Sequence, residues 1–314
     1  MTGQVVVAGE ALADLVPRLD GTLEPALGGG PFNTARTLGR LGRPTTFVGS
    51  VSRDRFGDQL AAALAADGVH LAAPLRTDRP TSLAMAELAP DGSASYRFYF
   101  AGTSAESLAP DVALRALPTQ IAALHVGSLG LVLEPLADAV EGLVAQAPSG
   151  TLVMVDPNMR PSILGDPVGH AARLVRVFAR ADVVKVSDAD LAILSPGEAP
   201  ESAARALLAH GARLVLLTLG PRGAVALGAF GVRAVAAPQV AVVDTIGAGD
   251  IFSGAWLARW LELAAALDDG DAVQEATDFA CRAAALSCSR RGASPPTRIE
   301  LPAHDADAPA NARR

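Results

Sequence analysis

The sequence predicts an α/β fold: a doubly wound, mostly parallel central sheet with helices on both faces, plus a small β-sheet lid. Three observations carry the prediction. From residue 121 onward, short apolar runs alternate with helix-length segments, the pattern of parallel strands joined by crossover helices. The chain opens on QVVVA, a β-branched run that reads as a buried strand. A Pro-Asp-Gly turn joins TSLAMAEL to ASYRFYF, a hairpin signal that a doubly wound sheet does not contain.

In order, QVVVAGEAL forms the first strand, and LGGGPFNTARTLGRLG is a glycine-rich turn running into a short helix. TTFVGSVSRD is a second strand, and FGDQLAAALAADGV is an amphipathic helix closed by Gly68. The hairpin between residues 74 and 100 joins residues 11–26 as the lid. IAALHVGS, TLVMVDPN, DVVKVSD and RLVLLTLG are the later strands, interleaved with helices such as EPLADAVEGLVAQA and HAARLVRVFARA. VAVVDTIGAGD reads as a short apolar strand, then a glycine turn, then a helix to about Ala266, with another helix from about Asp271 to Ser289. No interior linker divides the chain, so residues 1–303 are expected as one domain with the lid strands inserted. Residues 304–314, polar and rich in alanine and proline, read as a disordered tail.

The chain has 314 residues, half of them hydrophobic and 19% charged, with a net charge of −7. That composition supports a large core and lacks the basic field of a nucleic-acid binder. Two cysteines, Cys281 and Cys288, without a Cys/His cluster give neither a disulfide framework nor a zinc site. No signal-peptide pattern and no long apolar run appears, so a cytoplasmic protein without a membrane partner is expected. Lys185 is the only lysine; arginine carries the remaining positive side-chain charge.

The segment DTIGAGDIFSGAW, 244–256, places Gly247, Ala248 and Gly249 before a lone aspartate, Asp250. Ligands of open α/β sheets bind outside the carboxyl ends of the strands. A glycine turn at a helix N-terminus offers unpaired N–H groups and partial positive charge to a phosphate. Asp250 beside such an anion hole is either a general base taking a proton from an attacking hydroxyl or a helix cap. The loop by itself allows both.

DTIGAGDIFSGA resembles the C-terminal signature of the ribokinase-like (PfkB-type) carbohydrate kinases, and GGGPFNTARTLGRLG resembles their N-terminal glycine signature. The resemblance spans about residues 3–303, and DPNMR (156–160) and KVSDAD (185–190) point to the branch of fructokinases and 2-keto-3-deoxygluconate kinases. It implies that Asp250 is the catalytic base and that Gly247, Ala248 and Gly249 hold the transferring phosphoryl group. It implies sugar contacts from Asp14, Gly29, Gly30, Asn33, Tyr99 and Arg160. Carboxylate and amide groups suit sugar hydroxyls because they accept and donate paired hydrogen bonds. It implies nucleotide contacts from Lys185, Ser187, Thr218, Gly220 and Gly223, with Gly247 and Gly249, and from the small helix residues Ala283, Ala284 and Ser287. Asp190 stands where the family has a glutamate that organises Mg²⁺ through water, and Ser187 where asparagine is usual. Asp244, Ile246 and Gly292 correspond to a K⁺ site, although Pro296 replaces the hydroxyl often found nearby.

The resemblance thus implies a kinase using ATP and Mg²⁺ to phosphorylate a primary hydroxyl of a sugar. Fructose is favoured, because the arginine of the acid-specific lid is missing after Tyr99; Arg97 lies on the same strand face as Tyr99 and is a candidate substitute. The alternatives are 2-keto-3-deoxygluconate, then ribose or a nucleoside. A non-catalytic sugar-binding regulator is the alternative of another class, and a homodimer through the lid is compatible with kinase activity.

Overall fold

The computed structural model describes residues 3–18, 20–72, 75–88 and 94–301. The expected hairpin turn at 89–93, the lid boundary at Pro74 and the tail at 304–314 lie outside the described residues. The elements run β1 (Gln4–Ala8), β2 (Leu12–Pro17), β3 (Leu23–Gly28), α1 (Gly30–Arg40), β4 (Thr45–Val48), β5 (Val51–Ser52), α2 (Arg55–Ala66), β6 (Val69–Leu71), β7 (Arg76–Thr77), β8 (Ser82–Leu88) and β9 (Ala94–Tyr99). They continue α3 (Pro110–Arg115), β10 (Ile121–Gly127), α4 (Leu136–Ala145), β11 (Leu152–Asp156), α5 (Pro167–Arg180), β12 (Val183–Ser187), α6 (Asp188–Leu194), α7 (Pro200–Ala209), β13 (Leu214–Thr218), β14 (Ala224–Gly228), β15 (Gly231–Val235), α8 (Ala248–Leu263) and α9 (Gly270–Cys288).

Nine strands form the central sheet in the order β15-β14-β13-β12-β11-β10-β1-β4-β6. It is parallel from β13 through β6, and β14 and β15 continue it antiparallel. Side-chain alternation splits the core between the two faces. Val5 and Val7 of β1 face a layer with Phe32, Trp256 and Phe279 from α1, α8 and α9, whereas Val6 and Ala8 face Val140, Phe178 and Leu207 from α4, α5 and α7. Strand order reverses at β1, which has β10 on one side and β4 on the other, so the crevice for a ligand opens above β1 and β10.

A separate four-stranded sheet, β3-β2-β8-β9, stands over that crevice. In β9 the alternation turns Tyr96, Phe98 and Phe100 to one face as a stack, with ring centroids 6.2 and 5.1 Å apart. Phe98 lies opposite Ala84, which lies opposite Asp14, so the same face carries the Asp14 carboxylate.

Two expectations need correction. The apolar run at 240–243 is not a strand. The β14–β15 hairpin already completes that edge of the sheet, and Val242 and Val243 are exposed. The segment is instead tied to the end of α9, with the Val243 and Asp244 amides donating to the Cys288 carbonyl at 2.8 and 3.2 Å. In addition, α8 stops at Leu263 rather than near Ala266, because Ala264 turns left-handed at φ 51°.

The active edge depends on how closely α1 and α8 cross. A Cβ added at Gly254 would lie 2.7 Å from Thr37 Cβ and 2.9 Å from the Thr34 carbonyl oxygen. No side chain fits there unless the helices separate. Gly254→Val is therefore expected to lower the unfolding free energy by about 1–3 kcal/mol, the usual cost of overpacking. Urea denaturation measures it, and an unchanged midpoint would contradict the close crossing.

Candidate active site

Two cavities share a wall at the N-terminus of α8. One, of about 330 Å³, lies under the lid and is lined by Glu10, Asp14, Asn33, Tyr96, Phe98, Ser128, Arg160 and Asp250, among others. The second, of about 550 Å³, lies over the ends of β12 and β13, between the 237–242 segment and α9. Asn158, Lys185, Thr245, Ala248 and Gly249 line both. Both volumes fall in the range of small-molecule sites.

The helix terminus at the shared wall is built to receive an anion. Gly247 precedes α8 at φ 74°, and no side chain caps the helix. Its first-turn N–H groups and partial positive charge therefore face the cavities. Asp250 belongs to the first turn of α8 and does not act as its cap. Its Oδ2 instead accepts a hydrogen bond from Asn33 Nδ2 at 2.9 Å, and its carbonyl accepts one from Thr34 Oγ1 at 3.2 Å. Burial raises the Asp250 pKa; the Asn33 hydrogen bond and the charges of Lys185 and Arg160 oppose it. A base with a raised pKa beside an anion hole is what proton abstraction during phosphoryl transfer needs.

Two further acids under the lid are shifted upward as well. Burial pushes Asp14 up from 3.8 to about 7, helped by the charge of Asp250. Glu10 rises to about 8 through burial, although hydrogen bonds pull it back. Its Oε1 accepts from the Gly30 amide and its Oε2 from the Gly130 amide, both at 3.1 Å. Glu10 thus ties the start of α1 to the turn after β10 at the switch point of the sheet.

Lys185 on β12 is buried and donates to Asp156 Oδ2 at 2.9 Å. Burial draws its pKa down, but the carboxylates of Asp156, Asp190 and Asp250 outweigh that and hold the ammonium charged. His125, buried on β10, is kept neutral: burial first, then the Lys185 charge, push its pKa down to about 3.

Most of the sequence-predicted residues converge here. Asp14, Gly29, Gly30, Asn33 and Arg160 line the lid-side cavity; Ser187, Asp190, Thr218, Gly220 and Gly223 line the other; Gly247 and Ile246 face the lid side. Asp244 and Gly292 are joined by a 2.8 Å hydrogen bond from the Gly292 amide to Asp244 Oδ2, and the Ile246 amide donates to Oδ1 at 3.0 Å. Tyr99 is misplaced in the sequence reading: it is half exposed and lines neither cavity. Strand alternation puts Tyr96 and Phe98 over the site and turns Tyr99 and Arg97 to the other face. On α9, Ala284 lines the second cavity with Ala285, Cys281 and Cys288, whereas Ala283 and Ser287 are buried and do not line it.

Asp190 is more committed than its expected metal role implies. Its Oδ1 accepts from the Met159 amide at 2.7 Å, and its Oδ2 from the Ser187 amide and hydroxyl at 2.8 and 2.6 Å. These bonds clamp the turn carrying Asn158, which stands at φ 41° on the shared wall. Among the described residues no group of three or more His, Cys, Asp or Glu could hold a metal ion. Glu10, Asn158, Tyr96 and Phe98 were missed from sequence. Glu10 follows the first strand and Asn158 sits inside DPNMR, so position at the strand ends was the available signal for both.

Known proteins resemble this chain over nearly its whole length. Residues 2–300 match the family described as pfkB family carbohydrate kinase. A fructokinase of Rhizobium leguminosarum bv. trifolii is 37% identical over 259 residues, covering 81% of this chain and 78% of the relative. Fructokinase-1 of Oryza sativa subsp. japonica is 33% identical over 310 residues, covering 95% and 96%. The crystal structure of fructokinase from Vibrio cholerae O395 in fructose, ADP and calcium ion bound form superposes with a TM-score of 0.83 at 28% identity, covering 95% of this chain and 97% of that one. Aminoimidazole riboside kinase from Salmonella enterica, complexed with aminoimidazole riboside and an ATP analogue, gives 0.84 at 26%, covering 95% and 98%. With a match across nearly its whole length and both cavities in place, the chain belongs to the pfkB family of carbohydrate kinases.

Proposed function

We propose that this enzyme transfers the γ-phosphoryl group of ATP to a primary hydroxyl of fructose. The observation that carries the reading is Asp250 at the uncapped N-terminus of α8, where the two cavities meet. Sugar occupies the lid-side cavity and nucleotide the other. Asp14, Asn33 and Arg160 hold the sugar hydroxyls, with Tyr96 and Phe98 covering it and excluding water. Asp250 takes the hydroxyl proton as the oxygen attacks phosphorus, and the amides of the α8 first turn hold the equatorial oxygens. Fructose is supported by the names of the fructokinase relatives and by Arg97 and Tyr99 facing away from the cavity, which leaves that strand without a carboxylate partner for a sugar acid.

Magnesium enters as part of the substrate, MgATP. The three donors on Asp190 leave it to act on a hydrated ion rather than as a direct ligand. A Vibrio cholerae fructokinase structure is described in fructose, ADP and potassium ion bound form; here the Asp244 loop, tied to Gly292 beside the anion hole, is the corresponding K⁺ site. Exposed Leu23 and Tyr99 on the lid would be covered in a homodimer through that sheet. Among the described residues no helix is long and apolar enough to cross a membrane, and a cytoplasmic setting is part of the same proposal.

ADP release with MgATP is to be measured against fructose, 2-keto-3-deoxygluconate, ribose and a nucleoside. Turnover on fructose that falls by about 10²–10⁴-fold in Asp250→Asn is expected; near wild-type turnover in that variant would remove the base assignment. Because the Asp250 pKa is raised, kcat/KM should fall on the acid side above the usual carboxylate range.

Asp14→Asn is expected to raise the fructose KM and the melting temperature together. Folded Asp14 binds its proton more tightly than the unfolded chain does, so its stabilising contribution is full below about pH 4 and is lost as pH rises through about 7. The gain in the Asn variant should therefore grow over that window and be absent at its acid end. Scanning calorimetry across the window checks it, and a pH-independent difference would contradict the buried-acid reading.

A further inference from the structure

We propose that the chain has a second ligand site, for a small organic anion with an apolar body, at the opposite edge of the central sheet from Asp250, and that its occupancy is felt at Asp250 through α8. The coupling rests on the kinase reading above; the site does not.

A third cavity, of about 640 Å³, opens where β11, β12 and β13 begin, whereas the two cavities of the active site lie where those strands end. Its volume is in the range of small-molecule sites. Leu152, Trp260 and Leu267 give it an apolar wall, and Arg180, Asp182 and Arg213 stand at the strand starts.

The polar groups of this cavity are mostly donors. Two guanidiniums share one carboxylate: Arg180 lies 3.5 Å from Asp182 Oδ2 and Arg213 3.6 Å from Oδ1. Both distances exceed the roughly 2.7–2.9 Å of an engaged charge-assisted bond. Oδ2 already accepts from the Val153 amide at 2.9 Å. Arg180 also reaches the Thr151 carbonyl at 3.4 Å. Each guanidinium carries five donors in a planar fork that fits a carboxylate or a phosphate, so donors remain for a ligand. Trp260 adds another: it is fully buried, and its Nε1 has no hydrogen-bond partner. The C-termini of α5 and α8 end beside the cavity and offset part of the positive charge. Recognition therefore rests on the fork donors and the apolar wall rather than on net charge.

One helix joins this edge to the active site. Asp250 is in the first turn of α8 and Trp260 in the last, about 15 Å apart along the axis. The close crossing with α1 at Gly254 lies between them. A ligand that displaces the Trp260 end turns α8 about that contact and moves the Asp250 carboxylate and the first-turn amides.

The tryptophans provide the test. Trp256 and Trp260 are the only two in the chain, and their rings stack 5.2 Å apart, so their emission reports the cavity wall. The probes are benzoate and phenyl phosphate, with benzamide as the neutral match, in the absence of sugar and nucleotide. A saturable emission change with at least one anion and none with benzamide is expected. A response to benzoate alone assigns the site to carboxylates, and one to phenyl phosphate alone to phosphates. Arg180→Met and Arg213→Met should each raise the Kd about tenfold or more, the loss of a hydrogen bond to a charged group. At saturating MgATP and fructose, the bound anion should change wild-type kcat by about fivefold or more. The Arg213→Met enzyme should show no such change at the same concentration; its truncated side chain is 61% exposed, so its basal kcat and melting temperature should match wild type. No saturable change with either anion, or equal Kd values in wild type and both variants, would overturn the site. Binding that leaves kcat unchanged would overturn the coupling. Failure of the kinase reading is distinct from both and shows as absence of ADP release by the wild-type enzyme on every sugar.

Discussion

An α-helix that begins without a side-chain cap leaves donors and a partial positive charge facing solvent. In this chain α8 begins that way, at Gly247 in a left-handed conformation. The rest of the site follows from it. Asp250 could turn back and satisfy the helix, but Asn33 holds its carboxylate away. The uncapped amides face the junction of two cavities, and the carboxylate stands beside them on the lid side. The close crossing at Gly254 keeps α1 and α8 near enough for Asn33 to reach, so helix packing and the Asn33–Asp250 pair rest on the same crossing.

The second constraint is the concentration of buried charge. Glu10, Asp14, Asp156 and Asp250 all have raised pKa values, and in each case burial is the first cause. Grouped carboxylates with one buried ammonium are poor for stability, since desolvation offsets their mutual attraction. In the proposed function, a sugar would supply hydroxyl donors to these acids and a polyphosphate would meet the α8 amides. Part of the free energy of binding substrate would then go into relieving unpaired charge.

Some expected roles became more specific in three dimensions. Asp190 lines the second cavity, but its oxygens clamp Ser187 and the Met159 amide. It thereby holds Asn158 on the wall between the two cavities. Glu10 does similar work at the strand switch point, joining Gly30 to Gly130 through its two oxygens.

The sequence by itself determined the layered fold, the anion loop and most of the residues around it. Those signals are local: hydrophobic period, glycine placement before an apolar helix, and two family signatures carried by short contiguous segments. It could not determine which lid aromatics face the sugar, because a one-residue change in strand parity exchanges Tyr99 for Tyr96 and Phe98. Nor could it show that residues 240–243 leave the sheet, since an apolar run does not reveal that a hairpin from elsewhere has taken the edge. The pairing of Asn33 with Asp250, of Lys185 with Asp156, and of Glu10 with two distant amides was decided only by the tertiary structure. Each joins segments far apart in the chain, and their contact depends on the order of the parallel strands, which no local stretch encodes.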